Sequence, residues 1–225
     1  MKRIIFNIMV SFAIVFLCFP VYAIDFEGLT AKHYAAPYVK KANLYNLMAG
    51  FPDKKINGDK NASRYDVALI FYNLINYASK FKNINFNKNS EHCGFNDIPT
   101  DHWAYTAVRE TCSIGIMSGF PDQTFKGQKN LMRYEFSAVS SKLMDALNIT
   151  GFVRPVIIGQ VKGKNYKLTD LTDVESNHWA YFAVQKAVEH GIVPIYADRT
   201  FKGIRNINIY EVVISSVKLV EAMKK

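Results

Sequence analysis

The sequence predicts an all-α fold in which three helix-turn-helix repeats pack as a pseudo-threefold helical bundle, and three observations predict it. The order of residue types from His102 to Glu135 (His-Trp-Ala-Tyr, Ala-Val, Gly-Ile, a Phe-Pro-Asp turn, Phe-Lys-Gly, Arg-Tyr-Glu) returns without a gap from His178 to Glu211 and more loosely from His33 to Asp66. A unit repeated at near-constant spacing sets the architecture before any single motif does. Within each copy, apolar residues fall at helical spacing on both sides of a turn. Finally, two helices of this length have too little surface to enclose a core, so three pairs must share one.

The chain opens with Lys2 and Arg3, an apolar run from Ile4 to Phe19, then Pro20 and Val21-Tyr22-Ala23. This is the layout of a signal peptide over residues 1–23, with cleavage expected after Ala23; the alternative is an uncleaved membrane anchor. Cys18 follows the bulky Leu17, which argues against a lipid-modified N-terminus. With 49% hydrophobic and 21% charged residues, the chain as a whole has the apolar mass for a sizeable core and is not disordered. Its formal net charge of +9 favours an acidic partner, whether polysaccharide, nucleic acid or anionic membrane.

The repeats are read as residues 28–80, 94–147 and 171–225. In the second, Trp103, Ala107, Val108 and Ile114 predict a helix near 102–113, which Gly115 ends. Gly119-Phe120-Pro121-Asp122 has turn chemistry. A second helix near 133–147 carries Phe136, Val139, Leu143 and Leu147 on one stripe. Its counterparts continue through Val67, Ile70, Phe71, Leu74 and Tyr77 in the first copy, and through Val212, Val213, Val217, Val220 and Met223 in the third. Ser63 with Asp66, and Asn208 with Glu211, are cap residues with a carboxylate three positions on, able to satisfy free backbone N–H groups. Met132 in the middle copy cannot cap, so that helix must start less tightly or borrow another acceptor.

Two connectors join the repeats. Residues 81–93, rich in Asn and Lys, are read as an exposed linker. Residues 148–170 hold Gly151, Pro155, Gly159 and Gly163 around the apolar run Val153 to Val161, and are read either as a small β-hairpin or as a loop packed on the body. Cys93 and Cys112 are the two cysteines beyond the leader. Export makes a disulfide between them chemically open, and a small buried hydrophobe is the equal alternative for Cys112.

Phe95-Asn96-Asp97, His102-Trp103-Ala104, Gly115-Ile116, Gly119-Phe120-Pro121-Asp122, Phe125 and Arg133-Tyr134-Glu135 together resemble the S-layer homology domain. The third copy resembles it through Leu171-Thr172-Asp173, His178-Trp179-Ala180, Gly191-Ile192, Asp198 and Phe201. The first keeps Gly50-Phe51-Pro52-Asp53 and Ser63-Arg64-Tyr65-Asp66, with Tyr34 in the Trp position. The resemblance implies non-covalent binding of secondary cell-wall polymer or modified peptidoglycan in grooves between repeats. In that family the Arg of a Thr-Arg-Ala-Glu motif faces an acidic group such as a pyruvate ketal, which nominates Arg64 and Arg133 here. Guanidinium suits that task, because it holds a carboxylate through two parallel bonds beside a favourable helix dipole. Ile209 replaces the Arg in the third copy, and Ile195 replaces the turn glycine, so that groove is expected to be weakened.

Trp103 and Trp179 are read as core or groove-wall residues, with contact to a sugar face as a second role. Gly50 and Gly119 suit tight turns, and Asp97, Asp122, Asp173 and Asp198 are expected to brace them. His33, His102 and His178 recur once per copy at a helix start, where surface placement is favoured over a shared metal. Glu135 and Glu211 have a capping explanation, and neither a phosphate-binding glycine loop nor a Cys cluster is present, so no enzyme and no cofactor are expected. Nucleic acid conflicts with export, and no helix carries the basic face of a membrane-surface helix. The reading is an exported, cell-envelope protein that binds cell-wall polysaccharide or peptidoglycan, with other envelope proteins as further partners. The alternative is an envelope scaffold or adaptor whose repeats have lost glycan affinity. No second module follows Lys225, so a small stand-alone component is expected, contacting partners through the 148–170 connector or by self-association.

Overall fold

The computed structural model describes residues 29–51, 55, 57–159 and 171–225. The stretch read as a signal peptide, Pro52 and Asp53 of the first turn, and the second half of the long connector lie outside the described residues. Among the described residues, six helices and one two-stranded sheet follow in the order α1 (Ala36–Leu44), α2 (Arg64–Lys82), α3 (Tyr105–Ser113), α4 (Arg133–Ala146), β1 (Ile157–Ile158), α5 (Tyr181–Glu189), β2 (Ile195–Tyr196) and α6 (Ile209–Met223). Among the described residues, no helix is long and apolar enough to cross a membrane.

The first helix of each repeat is short and begins after a histidine. The Nδ1 atoms of His33, His102 and His178 each accept a backbone N–H, from Ala35, Ala104 and Ala180, at 3.2 Å. This cap displaces the helix start from His102 to Tyr105. The long second helices start on capping boxes at Ser63 with Asp66 and at Asn208 with Glu211. Met132 supplies no acceptor, and only Glu135 closes the box, taking the Met132 N–H at 2.9 Å.

The tightest helix packing runs between repeats, not within them: α2 lies on α3, α4 on α5, and α6 returns to α1, with α2 also against α6. The physical reason is size. A nine-residue helix has one narrow apolar stripe, whereas the longer second helices are apolar on several faces and need neighbours on each. The α6 run Val-Val-Ile-Ser-Ser-Val-Lys-Leu-Val is buried throughout.

The seams repeat the same contact. Tyr65 of the first repeat stacks on His102 of the second at 4.5 Å, Tyr134 on His178 at 4.0 Å, and Tyr210 on His33 at 4.6 Å. Each tyrosine covers a glycine of the next repeat, where a Cβ would sit 2.0 Å from Tyr65 at Gly127, 2.0 Å from Tyr134 at Gly203 and 2.1 Å from Tyr210 at Gly58. Deeper in, Leu131 N–H donates to Ala62 O, Ile207 N–H to Leu131 O and Ala62 N–H to Ile207 O, a ring of three backbone bonds of 2.8–3.0 Å. Outside it, Glu221 of α6 holds Lys41 of α1 at 2.5 Å, and Lys224 lies 4.3 Å over the Tyr45 ring.

The hairpin reading of the long connector gives way to a different pairing. Strand β1 pairs in parallel with β2 of the third repeat, Ile157 opposite Ile195 and Ile158 opposite Tyr196. Parallel strands cannot form a tight hairpin. The connector is instead held along the third repeat: Val153 N–H donates to His190 O at 3.1 Å, and Ile195 N–H to Val156 O at 3.1 Å. Gly191, at φ +71°, lets Val153 approach so closely that a Cβ would lie 1.9 Å from its carbonyl oxygen. Cys93 and Cys112 are joined in a disulfide.

Candidate functional site

The seams between repeats, where the clefts are expected, meet at the start of a second helix and differ in what they do with charge. At the first, Arg64 is the first residue of α2. Its Nε donates to Phe125 O at 2.7 Å and its Nη2 to Ser118 O at 2.6 Å. Both acceptors are neutral carbonyls, so the cation is positioned without being neutralised. The guanidinium carbon lies 5.1 Å from the Phe120 ring and 4.3 Å from that of Phe125. Lys126 Nζ stands 4.4 Å and Lys129 Nζ 5.9 Å from the same Phe120 ring. Burial lowers the Arg64 pKa from the ordinary guanidinium value, opposed by Glu135 and Asp97, and the group remains a cation.

The wall of this cleft is braced by the residues expected to brace it. Asp97 accepts from Phe125 N at 2.7 Å and Lys126 N at 2.8 Å, fixing the carbonyl that Arg64 uses. Asp122 accepts from the Thr124 backbone at 3.1 Å and its hydroxyl at 2.5 Å, and pairs with Lys126 at 2.9 Å. Its carboxyl is held down at about 2, first by the Thr124 hydroxyl and then by Lys126. Trp103, 37% exposed, lies 5.7 Å from Tyr65 and 6.1 Å from Phe51. Gly119 is needed for close approach, since a Cβ there would lie 2.2 Å from the Phe95 ring. Gly50, in contrast, is required for its backbone, at φ +90°.

At the second seam the same frame is sealed. Arg133 is 0% exposed. Its Nε donates to Phe201 O at 2.7 Å and its Nη2 to Pro194 O at 2.5 Å, copying Arg64. Its Nη1, however, is 2.5 Å from Glu211 Oε1. Glu211 also accepts from Tyr196 Oη at 3.0 Å, and Arg205 Nη2 reaches its other oxygen at 2.5 Å. Burial lowers the Arg133 pKa and Glu211 opposes the shift. Trp179 is 65% exposed and packs 6.4 Å from Tyr134.

Two of the substitutions between equivalent positions bear directly on charge. Phe120 has no hydroxyl where Tyr196 has one, and Lys129 stands where Arg205 does. In the first cleft Lys129 draws Glu135 to itself, and Arg64 is left with carbonyl partners. In the second, the Arg205 fork and the Tyr196 hydroxyl hold Glu211 against Arg133. At the third seam Ile209 is buried and supplies no cation. Tyr34 occupies the tryptophan position there, its pKa pushed up to about 12 by burial and by Glu211.

The structure therefore gives the two nominated arginines different surroundings. It also brings Ser118, Phe120, Lys126 and Lys129 to Arg64, none of which sequence reasoning singled out as site residues. The available signal was the Lys-rich stretch between Phe125 and Arg133, which faces the Arg of the previous repeat only once the seams close.

Known proteins carry the same unit. A 166-residue stretch, 74% of the chain, is 26% identical to the cellulosome-anchoring protein of Acetivibrio thermocellus and covers 33% of that protein. Shorter matches cover 51 residues, 23% of the chain: 45% identity to outer membrane protein alpha of Thermotoga maritima, and 41% to outer membrane protein SlpA of Deinococcus radiodurans. These cover 13% and 4% of the two relatives. The chain thus corresponds to at most about a third of these relatives' lengths. Residues 30–68, 94–136 and 170–208 each match the S-layer homology domain, and together these segments make up more than half of the chain. The chain belongs to the S-layer homology domain family.

Proposed function

We propose that this protein attaches non-covalently to the bacterial cell envelope by binding an acidic group of a wall polymer at Arg64. The family and the anchoring and surface relatives support a place in the envelope or at the cell surface. The observation that carries the site is local: Arg64 is fixed by two carbonyls beside Phe120, which Lys126 and Lys129 also approach. Lys126 is paired with Asp122 and Lys129 with Glu135, which leaves Arg64, bonded to carbonyls alone, as the cation of this group that favours an anion beside it. A carboxylate on a sugar, such as a pyruvate ketal, fits that demand, and the start of α2 adds its dipole.

In this reading the three repeats form a pseudo-threefold body, which the recurring Tyr-on-His seams and the ring of backbone bonds support. Binding occurs at one of its three clefts, and no catalytic step is assigned. Co-sedimentation with purified wall sacculi tests it. Wild-type protein should be retained, retention should fall roughly tenfold or more for Arg64→Ala, and sacculi stripped of acidic substituents should retain neither. Undiminished retention of Arg64→Ala would remove the site. One observation favours the scaffold reading instead: two clefts offer no open cation. In that case wild-type and Arg64→Ala would both stay in solution while cross-linking to other envelope proteins.

A further inference from the structure

Helices α2 and α6 start together, where Asn61 pairs with Asn208, and end together, where Lys224 Nζ of the α6 cap lies 5.4 Å from the Tyr77 ring and 5.1 Å from that of Phe81. Helix α1 ends at the same pole, with Tyr45 5.2 Å from Tyr77. At 1.5 Å per helical residue, Phe81 stands about 26 Å along α2 from Arg64. Charge along these three helices is sorted. Asp66 and Glu211 sit in the capping boxes at the starts, and Glu221, the acid near the ends, is paired with Lys41 and Lys218. Lys40, Lys80, Lys82, Lys224 and Lys225 are exposed around the ends.

Large apolar side chains stand out among these lysines. Leu44 is 75% exposed at the end of α1, one turn from Lys40, and Phe81 is 52% exposed in the last turn of α2. Phe152, also 52% exposed, joins them, since Lys225 Nζ donates to its carbonyl at 2.7 Å. The helix dipole favours cations at C-terminal ends and accounts for the lysines taken alone. It does not account for leucine and phenylalanine held out in water beside them. An anionic bilayer surface satisfies both kinds of side chain: headgroup phosphates take the ammonium groups, and the acyl boundary takes the apolar ones. A soluble acidic polymer would satisfy the lysines and leave Leu44, Phe81 and Phe152 in water.

We propose that this pole is a docking surface for an anionic phospholipid bilayer, built by the ends of α1, α2 and α6 together, although none of the three helices carries such a face alone. It does not depend on Arg64, which lies at the far end of α2. The test is flotation with vesicles of phosphatidylcholine, alone or mixed in equal parts with phosphatidylglycerol. Wild-type protein should float with the mixed vesicles and stay behind with the neutral ones. Lys80→Gln with Lys82→Gln should weaken partition roughly tenfold or more, at about fivefold for each lysine near the surface. Leu44→Ser with Phe81→Ser should also weaken it by roughly tenfold. A Phe81→Trp variant should be quenched by bromine carried on the lipid chains. Arg64→Ala should float as the wild type does. Absence of wild-type flotation, or flotation undiminished in the lysine variant, overturns the proposal. If the lysine variant loses flotation but the apolar variant does not and Phe81→Trp escapes quenching, or if wild-type protein binds soluble polyglycerol phosphate and no vesicle, the pole holds anionic groups alone and bilayer docking falls.

Discussion

Arg133 and Glu211 form an ion pair from which water is excluded: Nη1 and Oε1 are 2.5 Å apart and both side chains are 0% exposed. Breaking a buried pair from one side leaves the other charge uncompensated, at about 3–5 kcal/mol. Arg133→Ala is therefore expected to destabilise the fold by about 3 kcal/mol or more, whereas Arg64→Ala, half-buried and bonded to carbonyls, costs about 1–2 kcal/mol. Urea denaturation of the two variants checks this. Equal midpoints would mean that the two arginines are energetically alike and that the sealed cleft is misread.

The sealed cleft can be reopened if Tyr196 and Arg205 are what close it. Tyr196→Phe with Arg205→Lys restores the two residues of the first cleft that bear on charge. The expected outcome is a second binding event per chain in calorimetry with a pyruvylated glycoside. A stoichiometry that stays at one would place the difference elsewhere.

The glycine under each seam tyrosine makes a packing prediction. A methyl group at Gly127 or Gly203 would lie 2.0 Å from the ring of Tyr65 or Tyr134, so one of the two elements must shift. Overpacking of this kind costs about 1–3 kcal/mol. Gly127→Ala should lower the thermal midpoint, and Gly94→Ala, where a Cβ meets nothing within 4 Å, should leave it in place.

The Cys93–Cys112 bond closes a loop of sequence separation 19. Loop-closure entropy makes that worth about 3 kcal/mol. Reduction should lower the thermal midpoint by roughly 6–12 °C, at about 2–4 °C per kcal/mol for a chain of this size. An unchanged midpoint under reductant would show that the 83–93 segment is held by its other contacts alone, Lys88 to Glu110 and Asn89 to Ser113.

Acid should loosen the turn at the first cleft. The Asp122 carboxyl is held at about 2 in the fold, below the ordinary 3.8, first by the Thr124 hydroxyl and then by Lys126. A depressed carboxyl contributes stability that is complete above its unfolded value and is lost as pH falls through the folded one. The window is therefore about pH 4 down to about 2. Carbon-detected NMR of the Asp122 carboxyl should show a midpoint near 2, and Thr124→Val should move it up toward the ordinary value.

Much of this fold is legible in the residues because its determinants are local. Ser63 and Asn208 cap the helices their positions predict, and Asp97 and Asp173 each take two backbone N–H groups of the turn 28–29 positions on. The seam arrangement is not local. Glu135 and Glu211 occupy the same place in the same helix-start motif, yet one pairs with Lys129 and the other with Arg133 and Arg205. What separates them is a hydroxyl at 196 and a guanidinium at 205, contributions of other turns that act only after the repeats meet. The β1–β2 pairing escaped for the same reason, since Ile157 finds its partner at Ile195, across α5.

The return of α6 to α1 fixes how many copies can be present. In an open solenoid each added unit finds a free flank, and arrays of any number can grow. Here the N–H and C=O groups of Ala62, Leu131 and Ile207 are all consumed by one another. A fourth copy inserted in tandem would find no vacant edge in that ring, so lengthening this molecule means starting a second body, while shortening it by one copy strands one tyrosine without its glycine and one glycine without its tyrosine.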